Sequence, residues 1–164
     1  MAATTPDGAA DRTAAIVPGR AAPDFELPDI HGTPVRLSAL RGTPVTLVFF
    51  PFVFSRICTS ELCELRDNLG DFTAHGVRLL GISTDAMFAQ RAWAEAEGFG
   101  FDLLSDFWPH GQVARAYGVL DEHSGHALRG SFLIDADGVV RWSVVNPRGQ
   151  ARDLAAYREA LAAL

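Results

Sequence analysis

Short apolar runs alternate along the chain with segments whose apolar positions recur at helical spacing, and this alternation predicts most of the elements. Phe25-Glu-Leu-Pro and His31-Gly-Thr-Pro-Val-Arg-Leu37 read as two short strands joined by a glycine turn, so a hairpin opens the domain. Val45 to Phe50 is continuous, β-branched and aromatic, the pattern of a central strand covered on both faces. Pro51 stops it, because proline cannot donate to the ladder. From Ile57 to Leu69, Leu62, Leu65 and Leu69 mark one helix face. Cys58, four residues before Leu62, falls on the same stripe in the first turn and faces inward.

Val77 to Ser83 predicts the next buried strand, Met87 to Glu97 a helix, Phe101 to Leu104 a short strand and Gln112 to Tyr117 a short helix. Ser131 to Asp135 and Val139 to Val145 flank Asp137-Gly138, a hairpin turn signal, and Leu154 to Leu164 closes the chain as an Ala-rich helix. The order β-α-β-α-β followed by a hairpin and a helix points to a three-layer α/β fold, with a mixed central sheet flanked by helices. The 164 residues suit one domain, expected over 18–164. Met1 to Val17 is rich in Ala, Thr and Asp, with neither a basic start nor an apolar stretch, and reads as a flexible tail rather than a signal peptide.

A net charge of −6 with no basic cluster argues against nucleic acid or an anionic membrane as partner. The longest apolar run, Val45 to Phe54, is broken by Pro51 and too short to cross a bilayer of about 30 Å. A cytoplasmic location is the expectation. Two cysteines are too few for a secreted disulfide scaffold, and no spacing resembles a zinc site, which leaves redox chemistry or plain burial. His110, His123 and His126 read as surface residues near turns, and Trp93 and Trp142 as packing residues. Trp108, with Phe107, suits a dimer contact or a substrate mouth, and Phe50, Phe52 and Phe54 suit an apolar approach to the site.

The chemistry concentrates in Pro51-Phe-Val-Phe-Ser55-Arg-Ile-Cys58-Thr-Ser-Glu61. Unpaired N–H groups and the dipole at a helix N-terminus favour a thiolate, the reactive form of cysteine. A thiol of pKa about 8.5 is roughly 3% ionised at pH 7, and one lowered to about 6 is roughly 90% ionised, a gain of about thirtyfold. Redox chemistry at such a thiolate needs more: donors that align the oxidant and stabilise the departing atom as its bond breaks. Ser55 and an arginine could supply them, with Arg56, Arg66 and Arg129 as the arginines in question. Arg66, eight residues along the helix, could instead pair with surface carboxylates.

Pro51-x-x-x-Ser55-x-x-Cys58 resembles the peroxiredoxin active-site motif. The resemblance extends from about Pro18 to Leu164, through Ala22-Pro-Asp-Phe-Glu-Leu27 and Leu104-Ser-Asp-Phe-Trp-Pro-His-Gly111, the latter similar to the alkyl hydroperoxide reductase E branch. It implies a thioredoxin-like fold with an N-terminal β-hairpin, and a homodimer. It further implies that Cys58 is the peroxidatic cysteine, that Pro51 shields it, that Ser55 binds the peroxide, and that Glu61 orients Arg129 of Leu128-Arg-Gly-Ser-Phe-Leu-Ile-Asp135. A hydroperoxide is then the substrate. The sulfenic acid formed at Cys58 is restored by a thioredoxin-like or mycoredoxin-like protein or a low-molecular-weight thiol, and no cofactor or metal is needed.

Cys63 resembles the resolving cysteine of the bacterioferritin-comigratory, or Q-type, branch, and is otherwise an inert thiol beside the leucine stripe. Five helical residues give about 7.5 Å of rise and about 140° of rotation, which puts the two Cα atoms beyond the roughly 7 Å limit for a disulfide. Pairing would therefore require the first turns of the helix to unwind. Two rivals stand beside the peroxidase: a thiol-disulfide oxidoreductase, which would normally carry Cys-x-x-Cys, and a peroxide-sensing redox switch on the same fold.

Overall fold

The computed structural model describes residues 14–164. Strands β1 (Glu26–Pro28) and β2 (Pro34–Arg36) pair antiparallel as the expected opening hairpin, and a single 3-10 turn, Leu37–Leu40, follows. Next come β3 (Val45–Phe49), α1 (Arg56–Asp67), α2 (Leu69–Thr73), β4 (Arg78–Ser83), α3 (Met87–Glu97) and β5 (Asp102–Ser105). The chain continues through α4 (Gln112–Ala116), β6 (Leu120–Asp121), β7 (His126–Ala127), β8 (Arg129–Ile134), β9 (Val140–Asn146) and α5 (Leu154–Ala162). The five-stranded sheet runs β5-β4-β3-β8-β9, parallel from β5 to β3 and antiparallel thereafter, the mixed sheet expected from the sequence.

All five residues of β3 are buried, because the strand is central and covered on both faces. Alternation sends Leu47 and Phe49 into a cluster with Ile82, Tyr117 and Phe132. It sends Val48 to the opposite face with Leu79, Leu133, Leu65, Phe72 and Tyr157. A third cluster joins Phe50, Cys58 and Leu62 to Trp93 and Leu103, so the cysteine is packed into the core beside α3. Removing such buried apolar side chains costs a few kcal/mol each, which makes the sheet a rigid base for what projects from its end.

The helix expected to run on to Leu69 breaks at Asn68, which leaves helical geometry (φ −116°, ψ 21°) and donates from its side chain to the Glu64 carbonyl at 2.8 Å. Leu69 therefore begins the separate helix α2. The expected strand from Phe101 starts one residue later, with Phe101 stacked on Phe99. Of the tail expected over 1–17, residues 1–13 lie outside the described residues. Ile16 donates its amide to the Tyr117 carbonyl at 3.3 Å.

Helix α4 is capped from a distance. Its N-cap residue, Gly111, offers no side chain, and Asp106 instead accepts from the amides of Val113 (3.1 Å) and Ala114 (2.9 Å). Burial pushes the Asp106 carboxyl up to about 6 against the lowering effect of those two hydrogen bonds. A folded-state value above the unfolded one means that the stabilisation from protonating Asp106 is fully present below about 4 and is lost as pH rises through about 6. Urea unfolding from pH 7 down to pH 4.5 is expected to show wild type gaining on Asp106→Asn as the pH falls. A difference that does not change with pH contradicts the assignment.

Candidate active site

The site forms where β3 and β8 end beside each other. Val48 pairs with Ser131 in antiparallel register, so Arg129, at the start of β8, lies level with the residues that leave β3 toward Pro51. The Phe50 amide still reaches the Ile82 carbonyl at 3.0 Å, which fixes where the following loop departs from the sheet. Ser55 is the N-cap of α1, with extended backbone angles, and its hydroxyl oxygen accepts from the Cys58 amide at 3.3 Å. The inward stripe of α1 is Cys58, Glu61, Leu62 and Leu65, at helical spacing, which explains why thiol and carboxylate share one face.

Cys58 is fully buried. Arg129 donates from Nη1 both to Cys58 Sγ, at 3.3 Å, and to Glu61 Oε1, while its Nε donates to the Arg148 carbonyl at 2.6 Å. Three partners thus fix the guanidinium plane in one orientation. On the far side of Glu61 lies an arginine that sequence reasoning did not single out. Arg152 donates to Glu61 Oε2 from its amide and its Nε, and to Oε1 from Nη2. Its Nη1 donates to the carbonyls of Phe49 (2.7 Å) and Gly130 (3.0 Å) and to Ser131 Oγ (3.1 Å). Burial alone would raise the Glu61 carboxyl, but Arg152 and then Arg129 outweigh it and hold the group below the usual carboxylate range.

Nothing local to Arg152 announces this. It precedes Asp153, the N-cap of α5, in a polar stretch that reads as surface loop. Its side chain is buried where Nη1 meets the Phe49 and Gly130 carbonyls, at the adjoining ends of β3 and β8. A charged residue so deeply enclosed is uncommon without a partner, and Glu61, already matched to Arg129 in the sequence, gave no sign that it would take a second arginine.

Cys63 lies on another side of α1, partly buried, and donates from Sγ to Glu97 Oε2 at 3.3 Å. Burial, and then the hydrogen bond to Glu97, push its thiol up. With α1 continuous from Arg56 to Asp67, the expected helical separation from Cys58 holds, and both cysteines are free. Arg66 is engaged elsewhere, donating to Asp67 Oδ1 at 2.8 Å and to the Glu97 carbonyl.

An open cavity of about 400 Å³ leads to this arrangement, lined by Pro51, Phe52, Ser55, Arg56, Ile57, Arg129, Arg148 and Gly149. Pro51, Ser55 and Arg129 meet there, and the last two also bond Cys58, which does not itself line the cavity. Of the three phenylalanines expected along the approach, only Phe52 lines it. Phe50 is buried against Trp93, and Phe54 is exposed with its ring 6.4 Å from the same tryptophan, because the chain reverses between them. Phe107 and Trp108 are exposed and do not line the cavity. His126 departs from the surface expectation: it is buried, its ring 5.0 Å from that of Phe52 and its Nδ1 3.0 Å from the Ala127 carbonyl. The β6-β7 hairpin carries it inward, a placement that an isolated Gly-His pair does not signal.

Residues 18–143 match the AhpC/TSA family. The chain is 45% identical over 147 residues to proteins named alkyl hydroperoxide reductase E from Mycobacterium bovis and Mycobacterium tuberculosis, covering 89% of this chain and 96% of theirs. Among solved structures it is similar to peroxidoxin BcpB from Mycobacterium tuberculosis, with a TM-score of 0.78 and 38% identity over 88% of this chain and 94% of that one. It is also similar to Enterococcus faecalis AhpC, with a TM-score of 0.82 and 29% identity over 89% and 90% of the two chains. Both sequence and fold agree over nearly the whole length, and the chain belongs to the AhpC/TSA family of peroxiredoxins.

Proposed function

We propose that this chain is a thiol-dependent peroxidase that reduces hydrogen peroxide and organic hydroperoxides at Cys58. The observation that carries the reading is the double placement of Arg129, which donates to Cys58 Sγ and also lines the open cavity. A peroxide entering that cavity meets a donor already aimed at the sulfur. Relatives named alkyl hydroperoxide reductase E and peroxiredoxin support the same chemistry.

The Cys58 thiolate attacks the nearer peroxide oxygen, the O–O bond breaks, and the other oxygen leaves as alkoxide or hydroxide and takes a proton to become alcohol or water. Sulfur is oxidised to sulfenic acid and the peroxide is reduced. Arg129 stabilises charge on the oxygen as it develops, and the Ser55 hydroxyl, whose oxygen faces the Cys58 amide, keeps its own hydrogen for the peroxide. Pro51, lacking an N–H, forms an apolar wall. Glu61 orients Arg129, and Arg152 in turn holds Glu61.

A thiol then attacks the sulfenic sulfur, water leaves, and a second thiol releases the mixed disulfide. A thioredoxin-like or mycoredoxin-like protein or a small thiol fills this role. Cys63 can do so only once α1 unwinds and its thiol leaves Glu97. A homodimer and a cytoplasmic setting complete the reading; among the described residues no helix is long and apolar enough to cross a membrane.

Stopped-flow measurement of the first oxidation step tests the proposal. Cys58→Ser is expected to abolish it and Cys63→Ser to leave it intact, while Arg129→Met slows it by about 10²–10³, the usual cost of one lost transition-state donor. Rapid peroxide reduction by Cys58→Ser rejects it.

Removing the Glu61 charge leaves two buried guanidiniums uncompensated, at a cost of about 3–5 kcal/mol. Because the Glu61 value is depressed in the folded state, its contribution is present above about 4.5 and lost as pH falls further. Chemical denaturation at pH 7 should show Glu61→Gln destabilised by that amount, with the gap closing below pH 4.5. Equal stability at pH 7 contradicts the role of the ion pairs.

A further inference from the structure

The segment between β3 and α1 carries two residues of the cavity, Pro51 and Phe52, and ends at Ser55. It reverses direction through Phe54, whose φ of +62° is one that non-glycine side chains rarely adopt. A left-handed aromatic residue persists only where the surroundings hold it. Among the described residues, one hydrogen bond ties residues 51–54 to the rest of the molecule: the Val53 amide donates to Asp85 Oδ2 at 3.0 Å.

The other end of that bond is built rigidly. The same carboxylate oxygen accepts from Ser83 Oγ at 2.8 Å, and the Asp85 carbonyl accepts from Ser105 Oγ at 2.6 Å. Ser83 is in turn held by Gln90, whose side-chain amide donates to Ser83 Oγ (2.9 Å) and to the Leu104 carbonyl (2.8 Å). Asp85 thus projects from the ends of β4 and β5 as a fixed post, and the strained turn is the end that can let go.

We infer that Asp85 is a positioning residue, a latch whose bond to the Val53 amide holds the Pro51–Phe54 segment closed over Cys58 for attack on peroxide and whose release opens the site to the reducing thiol. The inference rests on the peroxidase reading of this site. The two half-reactions make mismatched demands on the site. Peroxide is small and needs Pro51, Ser55 and Arg129 in place around a sulfur with no exposed surface. A bulky thiol must bring its own sulfur to the buried sulfenic acid, which forms a sulfur–sulfur bond and expels water, and this requires the segment to move aside. Loosening the latch should therefore act on the two steps in opposite directions, whereas general damage slows both.

The test compares wild type with Asp85→Ala, which removes the acceptor, and Asp85→Asn, which keeps an oxygen able to accept from both Val53 and Ser83. Stopped-flow oxidation by hydrogen peroxide is expected to fall about tenfold in the Ala variant and to stay within about twofold of wild type in the Asn variant. Reduction of the sulfenic acid by thionitrobenzoate is expected to rise several-fold in the Ala variant only. Hydrogen exchange at the Val53 amide, which needs no turnover, should accelerate in the Ala variant and remain slow in the Asn variant. If Asp85→Ala does not fold, Ser83→Ala, which frees the carboxylate to swing, should show the same opposed changes at smaller size. Unchanged oxidation in the Ala variant, equal loss in both Asp85 variants, or slowing of both half-reactions overturns the latch. If wild type itself reacts slowly with every peroxide, the peroxidase reading falls instead, and Val53 exchange alone decides whether the latch exists.

Discussion

A carboxylate enclosed by two guanidiniums at the end of a buried sheet is the constraint on which this site depends. Glu61 is 5% exposed and meets Arg129 on one side and Arg152 on the other. Taking such charges out of water is costly, and the cost is offset only because the carboxylate oxygens and the guanidinium donors find partners in good geometry. Arg152 spends its remaining donor on the carbonyls of Phe49 and Gly130, so the cluster is bolted to β3 and β8 at once. The consequence is that Arg129 has little freedom, and the donor it presents to Cys58 is held in place.

The rigidity of this cluster contrasts with the residues facing it. On one side of the sulfur lie strands and ion pairs, and on the other a short loop with a left-handed phenylalanine and a helix N-terminus capped by a serine. One hydrogen bond, from the Val53 amide to Asp85, ties residues 51–54 to the rest of the described residues. On the proposed cycle, that division lets the sulfur be enclosed for one step and uncovered for the next. Cys63, hydrogen-bonded to Glu97 on another side of the same helix, stays apart from the sulfur as long as α1 is intact.

Much of this was legible in the residues. The sheet could be read because β3 is a nearly continuous apolar run and β4 is centred on Leu79, Leu80 and Ile82, and α1 because Leu62 and Leu65 recur with Cys58 at helical spacing. Arg129 was reachable through the segment that resembles a family motif, and the structure brings its side chain to Cys58. Arg152, the burial of His126 and the fate of Phe54 were not reachable, and Phe50, read both as part of a buried strand and as part of the approach, took the first place. Each is decided by which segment docks over which, and a single arginine before a helix or a phenylalanine beside a turn looks the same in sequence whether it ends in the core or in water. Asn68 was a local matter, a side chain that competes for its own helix carbonyls, and its effect on helix length is visible only once the competing bond is seen.

The claim that unites these observations is that the sulfur enclosed by Arg129 is the one that takes the peroxide oxygen. Trapping the sulfenic acid with dimedone after one equivalent of hydrogen peroxide, followed by peptide mapping in the mass spectrometer, addresses it directly. A single adduct on Cys58 is expected, with Cys63 unlabelled; an adduct on Cys63 with Cys58 left as free thiol contradicts that assignment.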